Sequence, residues 1–364
     1  MSYCNNIRYH LLTTTQADFP TMVADLLEQL PANETILRLA FFGTPADNQE
    51  YVIRRSVLFD QLKHYFGADR PVLSYVSQPP LNTPLLLEVH SYLPEKDDTI
   101  SYRSEEGLPY VILENQRGRF LFAGGFQGDV MNTSIHEQSG FVFNKIERLL
   151  HKEGFPINSI VRQWNYIEQI TFFDEKDQHY QSFNNARAAF YKKTEWPLGY
   201  PAATGIGANL GGILIDFDAV VIKHPKDVIT PIDNRLQVSA HAYSKEVLKN
   251  ASEKKETPKF ERAKSLTISE KRLVYISGTA AIRGEDSLKN VGVEEQLRIT
   301  MENIAELTGD SNLSILRVYI KHKDDFSKVE ALMNKLVPEV PVSYMWADVC
   351  RDELLIEIEG ISID

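Results

Sequence analysis

In two stretches of the chain, the spacing of hydrophobic and polar residues changes in the same order, from the period of a strand to that of a helix and back. In each stretch a short apolar strand ends at a glycine, a helical segment follows, and a second strand comes after it. The first copy comprises residues 119–125, a helical segment that ends near Leu150, and residues 160–167. The second comprises residues 272–278, a helical segment that ends near Leu307, and residues 315–320. The chain therefore contains an internal repeat of strand, glycine turn, helix and strand.

Two details support this interpretation. The second helix is amphipathic, with Leu297, Met301, Ile304 and Thr308 spaced as neighbours on one helical face. Both copies also end in a strand with acids at alternate positions, at residues 213–218 and 354–359. Because side chains of a strand alternate between its faces, the two acids of each strand share one face.

These elements predict an α+β fold with two tandem modules, each a mixed sheet with helices packed on one face. We predict an N-terminal region at 1–225, which contains a first, degenerate module at about 105–222, and a C-terminal module at 226–364. Residues 1–100 add two predicted strands, at 72–76 and 84–89, that we do not assign to a module. The polar stretch Lys249–Lys259 predicts a solvated loop between the copies.

Composition narrows the function further. The net charge of −11 argues against a nucleic-acid partner, and no apolar run reaches the 18 residues of a membrane span. Two cysteines far apart, and an N-terminus without a signal-peptide core, indicate a reducing, cytoplasmic location. The nine histidines include no pair at ligand spacing beside other ligand types. We therefore expect neither a metal nor another cofactor.

Several segments carry a resemblance to known families. Residues 260–360 resemble the Rid (YjgF) family, through Phe260-Glu-Arg-Ala263, Val274-Tyr-Ile-Ser-Gly278 and Ile356-Glu-Ile-Glu359. Two fused modules of this kind resemble the chorismatase family. The segments that support this are Trp164-Asn-Tyr166, residues 180–187, 201–207, 235–240 and 276–282, and Ala347-Asp-Val-Cys-Arg351. The resemblance implies an enzyme that releases pyruvate from chorismate, in secondary metabolite biosynthesis.

Cleavage of an enol ether requires a proton on its terminal methylene carbon, and a carboxyl among apolar side chains keeps its proton near neutral pH. Glu357 lies between Ile356 and Ile358, and the resemblance selects it as this acid, whereas Glu359 shares its strand face without being selected. The resemblance also places Cys350 in the site as a lining residue, for which we expect no nucleophilic role.

Chorismate is a dianion, so the site needs fixed cations, for which the guanidinium fork is suited. Arg187 and Arg235 lie in matched segments and are the candidates, and Arg317 on a strand is a third that binds either substrate or a structural acid. The remaining candidates for substrate contact are Tyr180, Tyr191, Tyr243, Gln237 and Ala263. The resemblance associates Cys350 with 3-hydroxybenzoate, which we favour, and the residue at Ala263 with a dihydroxycyclohexadienoate, and it leaves 4-hydroxybenzoate open.

Three other functions stay open at this point. The chain could be a non-catalytic Rid-like module that binds an acidic metabolite, an imine or enamine deaminase, or an interaction protein. A deaminase is disfavoured because the Rid deaminases have a segment similar to Pro-Ala-Arg at the place where this chain has Pro341-Val-Ser343. Without that arginine the substrate carboxylate of a deaminase lacks its partner. Both a monomer and a homotrimer are compatible with two modules in one chain.

Overall fold

The computed structural model describes residues 3–174, 177–244, 256–309 and 311–364. Three mixed sheets form the framework, and we name the segments that build them the N-terminal, central and C-terminal modules. No helix within these ranges is long and apolar enough to cross a membrane. Of the predicted loop Lys249–Lys259, residues 249–255 lie outside the described residues.

The N-terminal module has four strands in the order β1-β4-β2-β3, and only β2 and β3 are parallel. Asp18 and Asp47 begin its two long helices by accepting hydrogen bonds from backbone N–H groups of the first turn. The elements are α1 (Tyr3–Asn6), β1 (Ile7–Thr13), α2 (Phe19–Glu28), β2 (Thr35–Gly43), α3 (Asn48–Phe66), β3 (Val72–Val76) and β4 (Leu85–Tyr92).

The central module has six strands in the order β5-β6-β7-β12-β8-β11, with a two-stranded ribbon of β9 and β10 beside them. Its long helix begins with a capping box between Ser134 and Glu137. The elements are β5 (Thr99–Glu105), β6 (Leu108–Glu114), β7 (Gly118–Gln127), α4 (Ile135–Glu153), β8 (Ile160–Glu168), β9 (Phe173–Asp174), β10 (Asp177–Gln178), α5 (His179–Tyr191), β11 (Ala202–Ala208) and β12 (Ile213–Ile222).

The C-terminal module has six strands in the order β13-β14-β15-β20-β18-β19, and a small ribbon of β16 and β17. The predicted amphipathic helix is confirmed as α6, in which Leu297, Ile304 and Thr308 are buried. The elements are β13 (Val228–Ile232), β14 (Ala263–Ile268), β15 (Lys271–Ala280), β16 (Ile282–Arg283), β17 (Asp286–Ser287), α6 (Val293–Thr308), β18 (Asn312–Ile320), α7 (Phe326–Leu336), β19 (Val342–Trp346) and β20 (Ile356–Ile363).

The six-stranded sheets of the central and C-terminal modules have one topology, as the repeat predicts. In both, the last strand pairs antiparallel with two earlier strands, and the strand after each second helix is parallel to its neighbour. The structure corrects one detail of the repeat. The pairing of β7 with β12 and of β15 with β20 shows that Phe120 and Tyr275 are structurally equivalent. The sequence alignment that matches the glycines of the two copies is therefore displaced by two residues.

The N-terminal module is a third copy, which the sequence analysis did not identify. Its order β1-β4-β2-β3 repeats β7-β12-β8-β11 of the central module, including the single parallel pair. It lacks the two outer strands that begin the other two copies, β5 and β6 in one and β13 and β14 in the other. The chain therefore folds as three related modules. The predicted division near residue 225 stays a prediction; it falls between β12 and β13.

The faces of the sheets that carry no helices meet at the centre of the molecule. Two apolar clusters there draw side chains from all three modules, and a layer of charge lies between them. Along β18, Ile315 belongs to one cluster and Tyr319 to the other, and Arg317 lies between them on the same face. The charged layer is thus enclosed by hydrophobic residues, and its charges need partners within the protein.

Those partners form what we call the arginine ring, in which a buried arginine of each module pairs with an acid of the next. Arg38 Nη1 lies 2.8 Å from Asp218 Oδ1, Arg162 pairs with Glu359, and Arg317 Nη2 lies 2.8 Å from Glu88 Oε1. The three arginines occupy equivalent positions on β2, β8 and β18. The ring therefore closes the three modules around one axis within a single chain.

Candidate active site

A cleft opens between the central and C-terminal modules. Strand β11 and helix α5 form one wall, and the other is formed by β15, β20 and the segments that precede β14 and β20. The space not filled by atoms, including the open mouth, amounts to about 820 Å³. The lining residues are Gln178, Tyr180, Gln181, Asn184, Ala203, Gly205, Tyr243, Pro258, Phe260, Arg262, Gly278, Ala280, Ile282, Cys350, Arg351, Leu354 and Glu357.

Glu357 projects from β20 into this cleft and is only 5% exposed. Burial raises the pKa of its carboxyl to about 8, and the negative charge of Glu359 adds to the increase. Gly278 leaves the space that the carboxyl occupies, because a Cβ there would lie 2.0 Å from Glu357 Oε1. Glu357 is thus a buried acid that carries its proton at neutral pH, as the sequence analysis expects of a general acid.

Cys350 also lines the cleft, beside Glu357. Burial, followed by the charge of Glu357, raises the pKa of its thiol to about 12. A thiol is a strong nucleophile only as the thiolate, so this pKa disfavours covalent catalysis. The expectation of a lining residue without a nucleophilic role stays a prediction, and the pKa is consistent with it.

Three guanidiniums surround the cleft without a carboxylate partner among the described residues. Arg262 donates to the carbonyl of Val238 at 2.7 Å and to Tyr243 Oη at 2.5 Å. Arg351 donates to the carbonyl of Glu285 at 2.9 Å and lies 5.1 Å from the Tyr243 ring centroid. The third is Arg187.

Arg187 is buried on α5 behind the wall of the cleft. It donates to Asn184 Oδ1 at 2.6 Å and lies 6.0 Å from the ring of Phe260, which faces the cleft. Its Nε has no hydrogen-bond partner in the part of the chain that the structure describes. Arg187 and Arg262 are buried and Arg351 is partly exposed. Buried cations of proteins are normally paired with acids, so these guanidiniums leave the region suited to an anionic ligand.

The structure brings together part of the set of site residues predicted from the sequence. Tyr180, Tyr243, Cys350 and Glu357 line the cleft directly. The other four candidates on this side of the molecule lie behind its wall and do not line it. They are Arg187, Gln237 beside Ile282, Ala263 in the core of the C-terminal module, and Tyr191, whose hydroxyl donates to Gln163 at 2.8 Å.

Two predicted substrate contacts lie elsewhere. The side chain of Arg235 is 85% exposed and pairs with Glu306 on α6, because the segment after β13 passes over the outside of that helix. Arg317 belongs to the arginine ring and contacts Glu88 and Glu359, which corresponds to the structural role left open above. Neither residue lines the cleft, so we carry neither forward as a substrate ligand.

Sequence reasoning missed Arg262 and Arg351 although both lie in the segments that carry the resemblance. Each is the immediate neighbour of a chosen residue, Arg262 before Ala263 and Arg351 after Cys350. The positive charge of these two residues was the available signal, since a dianionic substrate requires cations near the catalytic acid. The polar side chains of Gln181 and Asn184 were also missed; they face the cleft from α5, inside the matched segment 180–187.

The acids equivalent to Glu357 in the other two modules are already paired within the protein. Asp216 on β12 accepts hydrogen bonds from Ser74 Oγ at 2.6 Å and from the backbone N–H of Gly125 at 2.8 Å. The carboxylate of Glu88 on β4 is paired with Arg317 and His90. Among the three related acids of the described residues, Glu357 is therefore the one without a hydrogen-bond partner, and it faces the larger cleft. Within the described ranges no group of His, Cys, Asp and Glu side chains is arranged to hold a metal ion.

Comparison with known proteins identifies the family. The family model described as chorismatase FkbO/Hyg5-like, N-terminal, matches residues 95–219. A 3-hydroxybenzoate synthase of Streptomyces hygroscopicus is 29% identical over 230 residues, which cover 57% of this chain and 65% of that protein. A chorismatase of Streptomyces rapamycinicus is 30% identical over 239 residues, which cover 60% of this chain and 68% of that protein. The matched segment thus spans about two thirds of the length of these curated relatives.

A solved structure extends the similarity to the whole fold. The crystal structure of a chorismatase at 1.08 Å resolution covers 98% of this chain and 98% of its own, with a TM-score of 0.71 and 21% sequence identity. The predicted α+β fold is therefore confirmed, and the similarity also covers the N-terminal module, which the sequence analysis left unassigned. Together with the 30% identity to the Streptomyces rapamycinicus protein over two thirds of its length, this shows that the chain belongs to the chorismatase family.

Proposed function

We propose that this protein is a chorismatase that cleaves the enolpyruvyl ether of chorismate and releases pyruvate. One observation carries the proposal: a buried, protonated carboxyl faces a cleft that is surrounded by guanidiniums without acid partners among the described residues. The acid suits proton transfer to carbon, and the cations suit a substrate with two carboxylates. Curated relatives named chorismatase and 3-hydroxybenzoate synthase support the same activity.

In the proposed reaction the Glu357 carboxyl donates its proton to the terminal methylene carbon of the enol ether. The former double bond supplies the electron pair for the new C–H bond, and positive charge develops on the carbon that bears the ether oxygen. Arg262 and Arg351, both at the cleft surface, bind the substrate carboxylates and hold this carbon near the acid. The resulting Glu357 carboxylate lies close to the cationic centre and stabilises it electrostatically.

Two product classes differ by one water molecule. Capture of the cation by water and loss of pyruvate leaves a dihydroxycyclohexadienoate. Capture by the neighbouring ring hydroxyl, followed by aromatisation, gives pyruvate and 3-hydroxybenzoate with no net water consumed. We favour 3-hydroxybenzoate, because Cys350, which the resemblance associates with that product, lines the cleft, whereas Ala263 is buried in the core of the C-terminal module.

The test is to incubate the purified protein with chorismate and to assay pyruvate, with the second product identified by retention and mass. We expect stoichiometric pyruvate and an aromatic acid, in the presence or absence of a chelator. No pyruvate from a folded protein would reject the proposed activity. Activity that a chelator abolishes and a divalent ion restores would reject this account of the site.

Neither a non-catalytic binding module nor a deaminase is favoured. A binding module has no use for a buried acid with a raised pKa. For a deaminase, the position of the expected arginine is occupied by the buried Ser343 on β19. The pyruvate assay separates the first alternative from an enzyme, and ammonia release from an imine would identify the second.

We further propose that the active form is a monomer. The arginine ring closes three modules within one chain, and the described walls of the cleft come from two modules of that chain. Light scattering coupled to size exclusion should give one chain's mass, 41.5 kDa. A stable trimer would contradict this proposal. Cytoplasmic location stays a prediction.

A further inference from the structure

Glu359 lies two residues after Glu357 on the same face of β20, and its carboxylate is fully engaged. Oε1 accepts from Arg317 Nη1 at 2.6 Å and from Tyr319 Oη at 2.8 Å. Oε2 accepts from Arg162 and from Thr204 Oγ1. Two arginines and two hydroxyls therefore hold this acid as an ionised carboxylate, although it is 2% exposed.

The surroundings of Glu357 are the opposite. Among the described residues, no side chain or backbone group forms a hydrogen bond with its carboxyl, and the bulge at Gly278 leaves the space that it fills. A neutral, protonated carboxyl tolerates such a place, whereas a carboxylate without partners does not. The two acids of one strand face are thus divided into an ionised member and a protonated member.

Thr204 on β11 connects the two environments. Its hydroxyl donates to Glu359, and it accepts from Arg162 Nη2 at 2.7 Å and from the backbone N–H of Gly278 at 3.0 Å. The network that fixes Glu359 therefore also anchors the glycine beside the Glu357 carboxyl. The contacts that fix Glu359 therefore also help to shape the space around the Glu357 carboxyl.

Charges reach Glu357 from every element that packs around it. Glu359 on β20 contributes negative charge. Arg162 on β8, Arg262 before β14 and Arg351 before β20 contribute positive charge. The remaining titratable neighbours, Tyr180 on α5 and Cys350, are neutral at pH 7. Glu359 is accordingly the nearby charge that favours the protonated form of Glu357.

We propose that Glu359 is a positioning residue of this enzyme: its fixed negative charge, clamped by Arg162, Arg317 and Thr204, keeps the neighbouring Glu357 carboxyl protonated for transfer to the substrate. This inference rests on the proposed function, since it assigns a partner to the general acid. It also changes the status of Glu359, which sequence reasoning treated as an uninvolved neighbour on the strand. Glu359 itself does not line the cleft and transfers no proton.

The test is the pH at which the Glu357 carboxyl loses its proton in Glu359→Gln. The midpoint is measured in two ways: from the alkaline limb of kcat, and from the carboxyl ¹³C resonance of glutamate-labelled protein without substrate, assigned by its disappearance in Glu357→Gln. Loss of a like charge about 7 Å away should lower the midpoint by roughly one to two pH units at an effective dielectric constant of about 20. A role limited to folding would reduce activity without moving the midpoint.

Arg162→Met is the second variant, and it has the opposite expected sign. It removes a positive charge and leaves Glu359 paired with Arg317, so the midpoint should rise. If Glu359→Gln does not fold, the double variant Arg162→Met/Glu359→Gln is compared with Arg162→Met, because these two differ only by the charge of Glu359, and the double variant should have the lower midpoint. A midpoint unchanged within about 0.3 pH units, or a shift of the wrong sign, in either folded variant overturns the inference. Because the ¹³C titration needs no turnover, a wild type that releases no pyruvate would reject the proposed function and leave this test intact.

Discussion

The carboxyl of Glu357 occupies the space that a side chain at Gly278 would fill: a Cβ there would lie 2.0 Å from Glu357 Oε1. Gly278→Ala should therefore displace the acid from its place in the cleft. Because a displacement of about 1 Å is expected to lower rates on the order of 100-fold, kcat of pyruvate release should fall by at least that much.

Gly140→Ala is the matched control for this substitution. Gly140 lies in α4 with open space around its Cα, so the added methyl group meets no neighbouring atom. The variant should keep full activity and gain about 0.5–1 kcal/mol in the free energy of unfolding, since alanine favours a helix over glycine. Gly278→Ala with wild-type kcat would show that the position of Glu357 does not depend on this space.

Glu357→Gln should lose kcat by roughly 10²–10⁴-fold while KM changes little, because glutamine keeps the shape of the side chain and has no proton to transfer. Steady-state kinetics of pyruvate release measure both parameters. The control is Asp216→Asn, at the equivalent position of the central module. Asp216 is equally buried but bonded to Ser74 and Gly125 in a closed junction, so this variant should turn over normally. Retention of more than a tenth of kcat in Glu357→Gln would exclude it as the general acid.

The raised pKa of Glu357 also predicts the pH dependence of activity. The acid acts in its protonated form, so kcat should stay level below about pH 7 and fall as the pH rises through about 8. A rate that increases through this range would mean that the group acts as a base. The profile is measured from kcat at saturating chorismate, because kcat reports the pKa in the bound complex.

The titration of Glu357 should also make the free energy of unfolding depend on pH, in a direction that its raised pKa determines. The folded pKa of about 8 exceeds the ordinary value of 4.5, so the folded state binds the proton more tightly than the unfolded state does. The free energy of unfolding should therefore fall between about pH 4.5 and pH 8, by about 5 kcal/mol at most, and level off above. Urea unfolding of Glu357→Gln should lack this decrease. An identical pH dependence in the two proteins would show that Glu357 titrates normally.

Arg262→Ala and Arg351→Ala should each raise KM for chorismate about tenfold or more, because a hydrogen bond to a charged group contributes roughly 1.5–3 kcal/mol. Arg235→Ala is the matched control, since its exposed side chain pairs with Glu306 outside the cleft. Initial rates over a range of chorismate concentrations give KM for each variant. If Arg235→Ala raises KM and the other two do not, the carboxylate sites are assigned to the wrong surface.

The sequence predicted the parts of the fold that depend on local periodicity. The amphipathic α6, the paired strands with alternate acids and the repeat of two modules all follow from side-chain spacing along the chain. The N-terminal module escaped because its likeness to the others is one of strand order. The order β1-β4-β2-β3 arises from long-range pairing that neither residue spacing nor composition records.

The candidate site divides in the same way. Glu357 and Cys350 could be chosen because a strand pattern and a family resemblance marked them. Arg235 was favoured over Arg262, although both lie in matched segments, since only the tertiary path places one on the outside of α6 and the other in the cleft. Arg317 was ambiguous for a related reason: whether a buried arginine binds a ligand or a protein acid depends on Glu88, which lies 229 residues away.

The arginine ring favours one arrangement of the three modules over the others. Asp218 and Glu359 occupy equivalent places on their strands, but the third acceptor, Glu88, lies two residues earlier than that place, where the chain has His90. A module that docked in a neighbour's position would therefore set an arginine against the wrong side chain in a buried layer, with a charge left uncompensated. Three copies of one topology in a single chain risk misassembly by exchange of modules. The unequal third pair makes the exchanged arrangements unfavourable, so the chain distinguishes modules that its topology alone would not.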